Sequence, residues 1–212
     1  MKKLNTKGFT LIELLAVITI MGILMMVAIP TVSRTIENSR KDTFIDTMKN
    51  YVNGAKNMWA ADNLRCNASS ESGEYVASAT TPKTYLSSAV PTGTYYINVD
   101  SANIDSHPVL LEQGGKSSWG SRDVKGWIKI KVEDKNLGTD AEPNMTRVVT
   151  YYPVISDGVH GVNVKSNGAS PAATVEESTL VSGPELVRGD IKMSGMTYIA
   201  DLKSGAGVCK EV

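Results

Sequence analysis

The chain has 212 residues, enough for one moderate globular domain with an accessory element and too few for two large independent ones. Its 22 basic and 22 acidic side chains cancel, which removes the electropositive footprint of a general nucleic-acid binder. The two histidines, His107 and His160, and the two cysteines, Cys66 and Cys209, lie far apart in sequence, so zinc-ligand spacing, a redox dithiol and a nucleophile motif are all missing, and the sequence points to no enzyme, cofactor or metal site.

The N-terminus carries the anomaly. Residues 1–7 are basic and polar through Lys2, Lys3 and Lys7, and the positive-inside rule assigns them to the cytoplasm with everything after the next segment outside. From Leu14 to Ser33 no side chain is charged, and Leu14 to Ile29 is almost wholly Leu, Ile, Val, Met or Ala, a length that matches the hydrocarbon core of a bilayer. A secretory signal peptide would need an unbroken apolar core and a small-x-small cleavage site after it. Here Glu13 interrupts the block, and 29–34 offers no such site. A carboxylate near the centre of a spanning helix costs about 2.5 to 3.5 kcal/mol, so Glu13 needs a positive partner, which a free amino group on Phe9 would supply if the chain were cut after Gly8.

The run Lys7-Gly8-Phe9-Thr10-Leu11-Ile12-Glu13-Leu14-Leu15, continuing through Ala16-Val17-Ile18 to Pro30, resembles the class III signal and first helix of type IV pilins and pseudopilins. The likeness covers roughly residues 1 to 60 and is only architectural beyond them. It implies cleavage between Gly8 and Phe9 by a membrane prepilin peptidase, N-methylation of Phe9, and use of Glu13 with Phe9 in subunit assembly. The simpler reading is a bare signal anchor, which has no use for Gly, Phe and Glu at those three spacings.

Beyond Pro30 the helical period continues with a new character. Val32, Ile36, Phe44, Met48, Val52 and Ala55 form one apolar stripe, flanked by Ile45, Tyr51, Met58 and Trp59. Arg34, Glu37, Arg40, Lys41, Asp42, Asp46, Lys49 and Lys56 supply the polar surface, so this half reads as an amphipathic helix that docks on a globular head. A helix from Phe9 to Leu64 would run about 84 Å, with its first half outside the head. Pro30 removes a backbone donor and crowds the carbonyl of Met26, and Gly22 loosens the turn before it, so a bend or local unwinding is expected across 22–30.

After Leu64 the composition shifts to Ser, Thr, Gly, Asn and Ala, with loops over 66–72 and 78–82. Three runs carry strand character: Tyr95 to Val99, Trp127 to Val132 with alternating Ile and Lys, and Thr146 to Ile155. Asp157-Gly158 separates the last from Val159 to Lys165 as a hairpin signal, and Met196 to Leu202 is a candidate further strand. Residues 167–174 and 204–207 read as exposed loops. Cys66 and Cys209 are read as one disulfide in preference to two free thiols; by chain entropy it would contribute about 5 kcal/mol, and it departs from the short C-terminal disulfide loop familiar in pilins. Asp134 to Glu142 carries alternating oxygen ligands, yet its glycine is out of place for a calcium loop and a solvated hairpin loop fits better. Trp119, Trp127, Tyr151 and Tyr152 are candidates for an adhesive patch but more often fill a core.

The expected molecule is therefore α+β: a leader at 1–8, a transmembrane and assembly half at 9–32, an amphipathic half at 33–64, and a β-rich head of antiparallel sheet at 65–212. The resemblance implies a structural subunit of a type IV pilus or pseudopilus, held in the cytoplasmic membrane of a bacterium before it joins a surface filament. Its implied partners are membrane lipid, other pilin subunits, the prepilin peptidase, an assembly platform and a cytoplasmic ATPase. The alternatives are a minor or tip pilin whose head binds a surface ligand or DNA, and a pseudopilin of a secretion or competence system.

Overall fold

A computed structural model describes residues 8–60, 65–66, 83–84, 92–102, 114–139, 142–166, 179–193, 198–199 and 209–210, with 65–66, 83–84, 166, 198–199 and 209–210 described by backbone alone. The chain divides into two compact units, Met1–Arg40 and Lys41–Val212, and one helix, α1 (Leu11–Ala60), supplies residues to both. The leader at 1–7, residues 61–64 and His107 lie outside the described residues.

In the first unit α1 buries no side chain. It is helical through Gly22 and Pro30, so of the bend or local unwinding expected over 22–30 the unwinding does not occur; Pro30 deletes the ladder bond to Met26. Thr19, Thr31 and Thr35 return their hydroxyls to the carbonyls of Ala16, Val27 and Thr31, which satisfies these polar groups within the helix itself.

In the second unit the buried face of α1 runs from Phe44 through Ile45, Met48, Tyr51, Val52, Ala55 and Met58 to Trp59, the helical spacing read from the sequence. Val32 and Ile36 continue the same stripe but stay exposed. Periodicity identifies a face; it does not say where the partner for that face begins.

The partner is an antiparallel sheet. Its centre is β3 (Gly93–Asp100), β4 (Lys125–Asn136) and β5 (Met145–Ser156), each longer than the run legible in the sequence. Short strands extend it: β6 (Gly161–Val162) and β8 (Ile191–Lys192) on one side and β10 (Cys209–Lys210) on the other, in the order β10-β3-β4-β5-β6-β8. Register explains the core. Tyr95 lies opposite Ile130 and Ile97 opposite Ile128, while Ile130 faces Tyr151 and Val132 faces Val149 across the next pair, so one face of the sheet is uniformly apolar. These residues join Phe44, Met48, Tyr51 and Val52 of α1 in a single core. On the opposite face Trp127 packs with Val154, Val164 and Leu180, and its ring meets Tyr96 edge-on with centroids 4.9 Å apart.

Two smaller pairs complete the head: β1 (Arg65–Cys66) with β2 (Lys83–Thr84), and β7 (Lys165–Ser166) with β9 (Tyr198–Ile199). Of the expected strand at 196–202, the described residues 198–199 form β9, which pairs with β7 rather than with the main sheet, and the others lie outside the described residues. The expected strand at 159–165 is corrected: residues 157–160 form the turn, β6 holds two residues, and the chain then leaves the sheet. Gly158 takes φ of 88°, the left-handed backbone that Asp-Gly turns require. Asn163 ends β6; its Nδ2 donates to the carbonyls of Pro153 and Val181 and its Oδ1 accepts from Val181 N, which stitches 179–182 to β5.

Segment 182–190 wraps to the helix. Leu186 is fully buried in the core, and Arg188 makes a two-pronged ion pair with Asp42, Nε to Oδ1 at 2.7 Å and Nη2 to Oδ2 at 2.6 Å. Gly114 approaches Tyr51 so closely that a Cβ there would stand 2.0 Å from the ring, and the Tyr51 hydroxyl donates to the Gly115 carbonyl beside it.

Candidate functional site

The region that carries the sequence signal begins at Gly8-Phe9-Thr10, exposed and outside regular secondary structure, immediately before α1. Thr10 is the helix cap. Its N–H and its hydroxyl both donate to Oε2 of Glu13, each at 2.8 Å, and Glu13 N reaches back to the Thr10 hydroxyl at 3.4 Å. Leu14 N donates to the Thr10 carbonyl to close the first turn. This is a capping box, Thr-x-x-Glu, in which cap and third residue satisfy each other's backbone donors. Glu13 is therefore held by its own chain, with its carboxylate folded back toward Thr10 and Phe9. Sequence reasoning gave Glu13 a partner in another subunit and overlooked this local one, although the Thr-x-x-Glu spacing was there to be read.

Around that acid the surface is almost entirely apolar. Phe9, Leu11, Ile12, Leu14 and Leu15 are exposed, and exposure continues through Ile18, Met21, Leu24, Met26 and Ile29. Among the described residues α1 is the segment long and apolar enough to cross a membrane. So large a contiguous apolar surface on a protein marks contact with lipid or with other protein.

Residues 3–29 match the family model described as the prokaryotic N-terminal methylation motif. No curated protein and no solved structure matches the chain. The matched segment carries a type IV pilin-like class III signal; it supports a precursor of pilin or pseudopilin type, and the long apolar N-terminal helix fits membrane anchoring.

The other candidates fall into place individually. Asp134 is engaged by Arg147, Nε to Oδ1 at 2.9 Å and Nη2 to Oδ2 at 3.2 Å; that hydrogen-bonded guanidinium holds its carboxyl below the usual range. Asn136 Oδ1 accepts from Gly138 N and Asn144 N, closing the β4–β5 loop on itself. Three side-chain oxygens of the 134–142 segment are thus spent on the protein. Trp119 and Tyr151 are buried and Trp127 half-buried, so three of the four aromatics serve packing. Cys66 lies in β1 opposite Lys83 and Cys209 in β10 opposite Tyr96, and their side chains fall outside the described residues.

One cluster has no counterpart in the sequence reading. Asp157, in the β5–β6 turn, has a side chain closed to solvent and is contacted by Ser117 and His160. Ser117 is 40 residues away in the chain, and nothing in the sequence joins them.

Proposed function

We propose that this protein is a structural subunit of a type IV pilus or related pseudopilus, cut after Gly8, N-methylated on Phe9, and polymerised through the apolar first half of α1. The observation that carries the reading is the methylation-motif match at 3–29 on a helix whose first unit buries no side chain. Such a surface is satisfied by lipid before assembly and by neighbouring copies afterwards, so little hydrophobic free energy opposes the transfer. What must be specified is register. Cleavage after Gly8 creates an amine on Phe9 four residues before Glu13, and pairing of that amine with Glu13 of an adjacent subunit supplies a charge-specific stop along an otherwise featureless apolar rod.

The chain itself performs no covalent chemistry in this scheme. A prepilin peptidase cuts and methylates it, and a membrane platform with a cytoplasmic ATPase extracts it from the cytoplasmic membrane, head outward. Gly22 and Pro30 are the positions where α1 yields if packing in the filament demands a bend. A Cys66–Cys209 disulfide joins β1 to the edge strand β10 after export.

Mass spectrometry of the protein purified from its own membrane tests the reading. The expected product begins with methylated Phe9 and gains two hydrogens on reduction. Gly8→Leu is expected to accumulate as uncut precursor. A wild-type product that retains residues 1–8 removes the polymer reading, because the leader would block the assembly end.

A further inference from the structure

Asp157 is bound more heavily than a turn requires. Its Oδ1 accepts from Val159 N at 2.9 Å and His160 N at 2.6 Å, which would suffice to close the β5–β6 turn. Its Oδ2 takes a further hydrogen bond from Ser117 Oγ at 2.6 Å and faces His160 Nδ1 at 3.1 Å. Both carboxylate oxygens are thereby engaged by protein groups. Ser117 in turn accepts from Trp119 N at 3.2 Å and donates its own N–H to the Arg122 carbonyl, so the whole turn at 117–122 hangs on that serine. The Trp119 ring stacks on His160, centroids 3.8 Å apart at 13°, and presents its other neighbour, Phe44, at 5.3 Å. Phe44 is the first buried residue of α1. An unbroken line of contacts thus leads from one buried carboxylate to the point where the head takes hold of the helix.

We propose that Asp157 is a charge-keyed clasp: its ionised carboxylate fixes the 117–122 turn and, through Trp119, seats the Phe44–Met48 turn of α1, so that it sets how much of the helix remains free to pack against other copies. The last clause rests on the assembly reading above; the clasp itself does not. The nearby tie between Arg188 and Asp42 cannot replace it, being exposed and screened by salt. Among the described residues, the titratable group in contact with Asp157 is His160 from its own turn. The 117–122 loop contributes a hydroxyl and an indole, and α1 contributes the apolar Phe44.

The sign of the pH response follows. Burial pushes the Asp157 carboxyl up, but the hydrogen bonds from Ser117, His160 and Val159 outweigh it and hold the group below the ordinary aspartate value. The clasp is therefore complete above the unfolded aspartate pKa of about 3.9 and is lost as pH falls through the lower folded value.

Hydrogen exchange on the full chain in detergent, expressed as protection factors, reads this directly. In the wild type the amides of 44–48 and 117–122 are expected to lose about tenfold in protection together as pH is lowered, before β3 to β5 open. In Asp157→Asn the same loss is expected at neutral pH and no longer varies with pH. Ser117→Ala, which keeps the charge and removes one donor, is expected to move the transition to higher pH. Unchanged protection at 44–48 in Asp157→Asn overturns the clasp, as does a pH response that survives that substitution. Equal loss across β3 to β5 in either variant overturns it as well, since the group would then be a general core contact. None of these measurements depends on cleavage or polymerisation, so an uncut precursor would sink the filament reading alone.

Discussion

Thr10 is placed to decide what Glu13 can do. Both of its donors converge on one carboxylate oxygen, Oε2, which aims the acid back along the helix toward Phe9 and commits half of its acceptor capacity within the chain. If the acid supplies register between subunits, the cap sets its direction before a partner arrives. Thr10→Val removes the hydroxyl and keeps the shape, whereas Thr10→Ser keeps the bond. With cleavage after Gly8 confirmed by mass in each case, Thr10→Val is expected to lower recovery of the protein in sheared filaments by several-fold, Thr10→Ser to restore it, and Thr10→Val to add nothing once Glu13→Ala is present. A Thr10→Val protein that assembles like the wild type would leave the capping box as a helix terminus only, worth about 1 kcal/mol of local stability. The capping box is legible as Thr-x-x-Glu in the sequence. The Ser117–Asp157–His160 cluster is not, because Ser117 stands 40 residues from Asp157 and only the folded head brings it to the β5–β6 turn that holds the other two.

Among the elements, those with many repeats of their period were readable and those with few were not. Alternation of Ile and Lys over 127–132 locates β4, and the Val, Thr and Tyr of 146–155 locate β5, because a strand with one buried face must alternate. Strands of two residues such as β6 and β8 show no period at all, and they are placed by edges that longer strands leave open. For α1 the stripe from Phe44 to Trp59 was readable and its starting point was not, since Val32 and Ile36 fit the same period without a covering surface. The energetic consequence is uneven. Met48 is fully buried against the sheet, so Met48→Ala is expected to destabilise the head by about 2 to 5 kcal/mol in denaturant titrations. Arg188→Ala removes an exposed ion pair to the same helix and is expected to cost about 1 kcal/mol or less. Equal losses for the two would mean that surface charge rather than the apolar stripe holds the helix to the sheet.

At the scale of the whole molecule, two kinds of solvent are written into one helix. Every buried residue of α1 lies at or after Phe44, while Leu11 to Ile29 is apolar and exposed. The hydrophobic stability of the head therefore owes nothing to the first unit, and the demand for detergent or lipid owes nothing to the head. A chain comprising residues 37–212 separates the two. It keeps Asp42 for Arg188 and all of the buried stripe, so it is expected to sediment as a monomer in buffer without detergent. Its unfolding free energy should match that of the full chain in detergent within about 1 kcal/mol, since substitutions and deletions away from buried contacts change stability little. Aggregation of the 37–212 chain, or loss of its cooperative transition, would show that residues before 37 complete the core, and the division between an assembly segment and a self-sufficient head would have to be abandoned.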